Sequence, residues 1–120
     1  MGTLNRHLSQ YRAFKTSADQ PGVEIQGRVE MLFLAAYHLI DACAAKHGIH
    51  INKHQNVRRE LEANPAIFGA DSKSVWESFD ELQGRSRAKF VYGGTWMESD
   101  IAATLRHFDT IERVCLKVTS

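Results

Sequence analysis

The sequence predicts an all-α protein, an antiparallel up-down helical bundle of four long helices plus short helical pieces, and three observations carry that reading. Apolar residues recur at spacings of three and four along four stretches, and nowhere is there a sustained strand-type alternation. The stretch from Met31 to Ala45 is polar only at Tyr37, His38 and Asp41. A helix apolar on nearly every face has to be wrapped by others, so this one is the expected centre of the bundle. Short loops favour antiparallel neighbours.

Leu4, Leu8, Tyr11 and Phe14 mark a first amphipathic helix over about Thr3–Lys15, and Ser17, Asp19, Pro21 and Gly22 mark a linker whose Pro can occupy the next helix's first turn. The central helix spans Glu24 to His47. Ile25, Val29, Leu32, Leu39 and Cys43 trace one face, and Gly48 is its stop signal. Ile49 and Ile51 alternate with His50 and Asn52 in a connector. Asn52 with Gln55 suggests a capped third helix over Lys53–Ala63, ended by Asn64-Pro65. Ile67 and Phe68 suit a turn that plugs the core. Asp71, or Ser74 in a capping box with Glu77, can open a fourth helix over Val75–Val91, with Gly84 as its weak point. Gly93-Gly94 ends it. Thr95 and Glu98 form a further capping box for a last helix to Lys117, with Ile101, Leu105, Phe108, Ile111 and Cys115 inward.

At 120 residues, 43% hydrophobic and 24% charged, the chain reads as one domain, 1–120. The central apolar run is too short and too interrupted to span a bilayer, and the N-terminus lacks the apolar core of a signal peptide, so the expected location is the cytoplasm, with no membrane partner. The two cysteines, Cys43 and Cys115, lie in helical apolar patterns without CxxC spacing and read as reduced core residues. A net charge of +1 leaves polyanion binding to local clustering rather than to bulk field.

Such clustering is present. Lys53, Arg58 and Arg59 lie near the start of the third helix, and Arg85, Arg87 and Lys89 near the end of the fourth. If helices alternate in direction, these groups share one end of the bundle with His47, His50 and His54. The bland reading is a solvated face balanced by i,i+4 partners. Tyr37, His38 and Asp41 are a sharper signal, because buried polar groups need hydrogen-bond partners. His38 and Asp41, three apart, share a helix face. A satisfied core network and a functional pocket both explain them. His47, His50 and His54, with Asp41 as a fourth ligand, suggest a metal reading, but Gly48 breaks the helical spacing, and no metal or other cofactor is expected. Nucleophile-elbow and phosphate-loop motifs are absent from the sequence.

Tyr37-His38-Leu39-Ile40-Asp41-Ala42, Gly48-Ile49-His50, His54 with Arg58, and Ser86-Arg87 with Lys89-Phe90-Val91-Tyr92-Gly93 together resemble the HEPN superfamily, small helical bundles found in toxins, RNA-processing enzymes and many uncharacterised prokaryotic proteins. The resemblance covers most of the chain. It implies a bundle that often dimerises and, in active members, a metal-independent ribonuclease using an arginine and a histidine roughly four to six residues later. Here Phe90 stands where the toxin-type pattern beginning at Arg85 would place histidine, with Tyr92 beyond it, and Phe cannot transfer a proton.

The first expectation is therefore non-catalytic binding of a nucleotide or RNA phosphate by Arg58, Arg85 or Arg87, His54 and Tyr92, with Tyr37 and Asp41 lining the pocket. The second is a ribonuclease in which His38 or His54 acts as general acid or base beside Arg85 or Arg87. The third, implied by the resemblance, is an adaptor for a nucleotidyltransferase-like antitoxin partner. A homodimer is expected.

Overall fold

The computed structural model describes residues 2–120; Met1, within the expected domain 1–120, lies outside the described residues. The protein is all-helical, with no strand among the described residues. Helix α1 (Gly2–Ala18) runs past its expected end at Lys15, because Ala18 is buried and Lys15 pairs with Asp19 one turn on. Pro21 falls in the turn that follows, not in the next helix, and Gly22 supplies that turn's left-handed residue at φ +82°.

Helix α2 (Ile25–Lys46) is the centre of the fold. Val29, Leu32, Phe33, Ala35, Ala36, Leu39, Ile40, Cys43 and Ala44 are all buried along it. Gly48, at φ +74°, ends it, and the N–H groups of Gly48 and Ile49 return to the carbonyls of Ala45 and Ala44. The expected third helix forms in two pieces, a 3-10 turn at His54–Asn56 and helix α3 (Val57–Ala63). Asn52 does not cap it. Lys53 holds the cap position without a side-chain bond, and its carbonyl takes the Asn56 N–H instead.

Ile67 and Phe68 fill the core under the next turn. Helix α4 (Ser72–Asp80), a π-helical segment (Glu81–Ser86) and helix α5 (Arg87–Phe90) then follow without a break where one α-helix is expected. Ser74 lies inside α4, so its box with Glu77 does not form; Asp71 is the cap residue, without a side-chain bond. The wider π turn is centred on Gly84, the poorest helix former there, and keeps Leu82, Ser86 and Phe90, four residues apart, all buried. Ser86 Oγ meets Thr104 Oγ1 at 2.6 Å, a buried hydroxyl pair that docks the π segment on helix α6 (Glu98–Thr119). That pair turns Thr104 inward and leaves Leu105, expected in the core, exposed. Asp100, rather than the expected Thr95–Glu98 box, secures the start of α6: it accepts the Met97 N–H at 2.9 Å and the Lys89 ammonium at 2.8 Å.

Side-chain pairs give the helix directions. Tyr11 donates to Glu112 and Lys15 lies over Phe108, so α1 and α6 run oppositely. Phe79 packs on Phe33 and Arg87 on Glu30, so the α4–α5 segment runs opposite to α2. Lys46 donates to the Val118 carbonyl and the Cys43 thiol lies 3.5 Å from the Cys115 carbonyl oxygen, so α2 and α6 run alike. Both cysteines are free and buried, and burial pushes the Cys115 thiol pKa well up, as reduced core residues require. The alternation behind the expected cationic end fails at α3, whose seven residues do not cross the bundle. Arg87 consequently lies beside the first turns of α2, whereas His47 caps its last. Among the described residues no helix is long and apolar enough to cross a membrane.

Two glycines should respond oppositely to alanine. A Cβ at Gly84 would meet nothing within 4 Å, whereas one at Gly94 would lie 2.9 Å from the Ala88 carbonyl oxygen and 3.0 Å from Lys89 Cα. In urea denaturation, Gly84→Ala is expected to stabilise by up to about 1 kcal/mol. Gly94→Ala is expected to destabilise by about 1–3 kcal/mol. Equal effects would contradict this backbone.

Candidate functional site: histidines around a buried aspartate

Asp41 lies on α2 among Ile40, Ala42 and Cys43 and is 1% exposed. A carboxylate in such a place must be met by donors, and two elements, α1 and the connector after α2, supply them. The Ile51 N–H donates to Asp41 Oδ1 at 3.1 Å, from the connector after α2. His7, on α1, places Nε2 3.1 Å from Asp41 Oδ2. His50 brings Nδ1 to 3.7 Å from Asp41 Oδ1, too long for a hydrogen bond but near enough for charge to be felt. Tyr37, one turn before Asp41, donates to the Ile51 carbonyl at 2.6 Å. Both backbone polar groups of the fully buried Ile51 are thus tied to α2, which fixes where His50 stands.

The chain of contacts extends one residue further. His7 Nδ1 and His38 Nδ1 are 2.9 Å apart, so one nitrogen carries the shared proton and the other accepts it. With His7 Nε2–H donating to the Asp41 carboxylate, His7 Nδ1 is the acceptor and His38 Nδ1–H the donor. That leaves His38 Nε2 as a free lone pair in the neutral protein. Phe14 stacks on the His38 ring, with centroids 5.8 Å apart and planes 11° from parallel. Burial lowers the His38 pKa, the neighbouring His7 lowers it further, and Asp41 opposes both. Burial is also the largest cause at His7, opposed by Asp41 and reinforced by His50 and Arg6.

The cluster opens onto a cavity of about 390 Å³ lined by Arg6, His7, Gln10, His38 and His50. Its lining contains no carboxylate, since Asp41 lies beneath it. Three other cavities, of about 550, 420 and 130 Å³, flank the α4–π–α5 segment, and Glu81 lines each of them.

The structure separates the remaining sequence candidates. Arg87 is held by Glu30 through Nε at 2.8 Å and Nη2 at 3.3 Å, with its guanidinium 4.2 Å from the Phe33 ring centroid and 5.3 Å from that of Tyr92. Tyr92 itself is exposed. His54 bonds Gln83 Oε1 through Nδ1 at 2.9 Å and meets the Phe33 ring edge-on, so it and Arg87 share that ring. Arg58 lies over Trp76 at 4.0 Å, between Glu62 and Asp80, and Arg85 reaches Glu81 at 3.3 Å. Each of the three arginines therefore has a carboxylate partner, and they do not gather around one point. Tyr37 holds the connector through the Ile51 carbonyl, and His38 pairs with His7, with Arg6 as the arginine of its cavity. His47 stands exposed at the α2 C-cap.

Sequence reasoning missed the α1 residues of the site, Arg6, His7 and Gln10, and among them His7 matters most because it reaches Asp41. Its signal was available: it lies beside Leu8 on the α1 face marked by Leu4, Leu8 and Tyr11, where a buried acid on the facing helix needs a donor. Periodicity alone did not select it.

His7, His38 and His107 all have pKa values lowered from the ordinary 6.5, burial being the largest cause in each. The folded state therefore binds fewer protons than the unfolded state just below pH 6.5. Stability is fully present above that pH and is lost as pH falls toward the lowered values. Urea titrations at pH 7.5 and 5.5 should show the loss, and it should be smaller in His38→Gln and in His107→Gln; a flat profile in the native chain would contradict the assignment. Comparison with models of protein families, with curated proteins and with solved structures finds no match for this chain.

Proposed function

We propose that this chain is a HEPN-like antiparallel bundle of four long helices that binds a nucleotide or RNA phosphate, and that the phosphate lies in the cavity lined by Arg6, His7, Gln10, His38 and His50. The single observation that carries this reading is the lining: one guanidinium, three imidazoles and an amide, with no carboxylate at the wall. A phosphate there meets donors from Arg6 and Gln10 with no carboxylate in the lining, and His38 adds a donor once its Nε2 is protonated. The cavities along α4 and α5 are less suited, since Glu81 lines each, and Arg87 could serve a phosphate only by releasing Glu30.

The hydrogen-bonded sequence Asp41, His7, His38 favours a second reading of the same cavity. An imidazole whose proton is oriented by a carboxylate through a neighbour is suited to general base work, and Arg6 to stabilising charge on a phosphorane-like transition state. Metal-independent RNA cleavage on this reading uses His38 with Arg6 rather than with Arg85 or Arg87. A homodimer belongs to the proposal, supported by the exposed apolar residues Tyr92, Trp96 and Met97 between α5 and α6. The adaptor role is the outcome left if neither RNA nor nucleotide binds.

Binding of a short single-stranded RNA and of a nucleoside monophosphate, at two salt concentrations, tests the proposal, with RNA integrity followed in the same tubes. Arg6→Ala is expected to weaken binding and to reduce the salt slope by about one charge. Arg85→Ala should leave both unchanged. Intact RNA throughout would favour binding alone, cleavage lost in His38→Ala would favour the enzyme, and equal loss in Arg6→Ala and Arg85→Ala would sink the cavity assignment.

A further inference from the structure

We infer that His7, Asp41 and His50 form a binding site for a divalent transition-metal cation of the zinc class. The inference does not depend on phosphate binding. One donor atom from each of the three residues lies within 4.8 Å of the other two, and the three come from α1, α2 and the connector. Two imidazoles and one carboxylate are a donor set that zinc takes in sites with an open fourth position.

One of the spacings fits as it stands. Ligand atoms about 2.0–2.1 Å from a tetrahedral zinc lie about 3.3–3.4 Å from one another. His7 Nε2 and Asp41 Oδ2 are 3.1 Å apart, whereas His50 Nδ1 lies 3.7 Å from the other oxygen, Oδ1, with one donor atom of each residue within 4.8 Å of the other two. His50 is 57% exposed, so its ring can turn to close the wider gap without moving the backbone. In the metal-free protein the proton on His7 Nε2 occupies the place of the ion.

The surroundings fit as well. A metal-bound imidazole keeps its orientation by donating its other N–H to a neighbour. His7 Nδ1 has that neighbour, His38 Nδ1, at 2.9 Å. When the ion replaces the Nε2 proton, the shared proton passes from His38 Nδ1 to His7 Nδ1 and His38 takes up a proton at Nε2, so that His7 donates to His38 and the direction of that hydrogen bond is reversed. Asp41 is oriented in the same way, by the Ile51 N–H on Oδ1, which leaves Oδ2 for the ion. The adjoining cavity leaves the fourth position to water or to an anion, with Arg6 and Gln10 on its wall. His47 and His54 have no part: one is exposed at the α2 C-cap and the other is bonded to Gln83.

Zinc titration of the chelator-treated protein against a colorimetric competitor tests the site, alongside the visible absorption of the Co²⁺ form. One equivalent is expected to bind, with the intense d–d bands of a tetrahedral N/O site and an upward shift in melting temperature. His50→Ala, at an exposed position that leaves the fold intact, should lower zinc affinity at least tenfold and remove the melting shift, while His47→Ala and His54→Ala should leave both unchanged. Asp41→Asn, read only if circular dichroism shows a folded protein, should do the same as His50→Ala. Equal zinc affinity in the native chain and His50→Ala, or loss in His47→Ala instead, would overturn the site. Both readouts use metal without RNA, so failure of the phosphate-binding proposal would leave this result standing.

Discussion

The Asp41 carboxylate is the constraint around which this protein is arranged. It lies in the most apolar helix of the chain, where an unmatched charge would cost several kcal/mol, and each donor that meets it ties another element to α2. His7 brings α1, the Ile51 N–H brings the connector, and His50 follows because Ile51 is held from both sides, by Asp41 and by Tyr37. A single buried acid thus sets the packing of α1, the path of the chain after α2, and the placing of three imidazoles at one cavity. Structure and candidate chemistry have one cause here.

The rest of the charge is handled differently. On α3 and along the π–α5 segment four basic residues are matched by carboxylates: Arg58 by Glu62 and Asp80, Arg85 by Glu81, Arg87 by Glu30, Lys89 by Asp100. The Arg58 and Arg85 pairs are exposed and contribute little, whereas the Arg87 pair, covered and stacked on Phe33, acts as a clasp between α5 and α2. The π segment serves the same packing, keeping Leu82, Ser86 and Phe90 on one line against α2 and α6. A basic sequence cluster has become a set of intramolecular ties, and the cavity whose lining carries no carboxylate is built instead from α1, α2 and the connector.

All-helical character, the central place of α2 and the stop at Gly48 were legible because each rests on local periodicity or on a glycine at positive φ. The 3-10 start of the third helix, the π turn at Gly84 and the inward rotation of Thr104 were not, since each is settled by a partner distant in the chain, Ser86 with Thr104 being the clearest case. The same division governs the site. Tyr37, His38 and Asp41 stood out as polar residues in an apolar run, and their need for partners was a sound inference. Which partners they would find was not in the local pattern. Counting α3 as a full crossing put Arg87 with His47 at one end, when α3 is a seven-residue detour. His7, on another helix and unremarkable within its own pattern, comes within 3.1 Å of Asp41 Oδ2 only through the docking of α1 on α2.

The claim that Asp41 organises the histidines is tested most directly by long-range ¹H–¹⁵N NMR of the imidazole nitrogens in chelator-treated protein at pH 8, which reads the tautomer of each ring. The expected result is Nε2–H at His7 and Nδ1–H at His38, the uncommon form for an unconstrained imidazole, with both patterns lost in Asp41→Asn. Freely averaging tautomers at His7 and His38 in the native chain, or tautomers unchanged by Asp41→Asn, would contradict it.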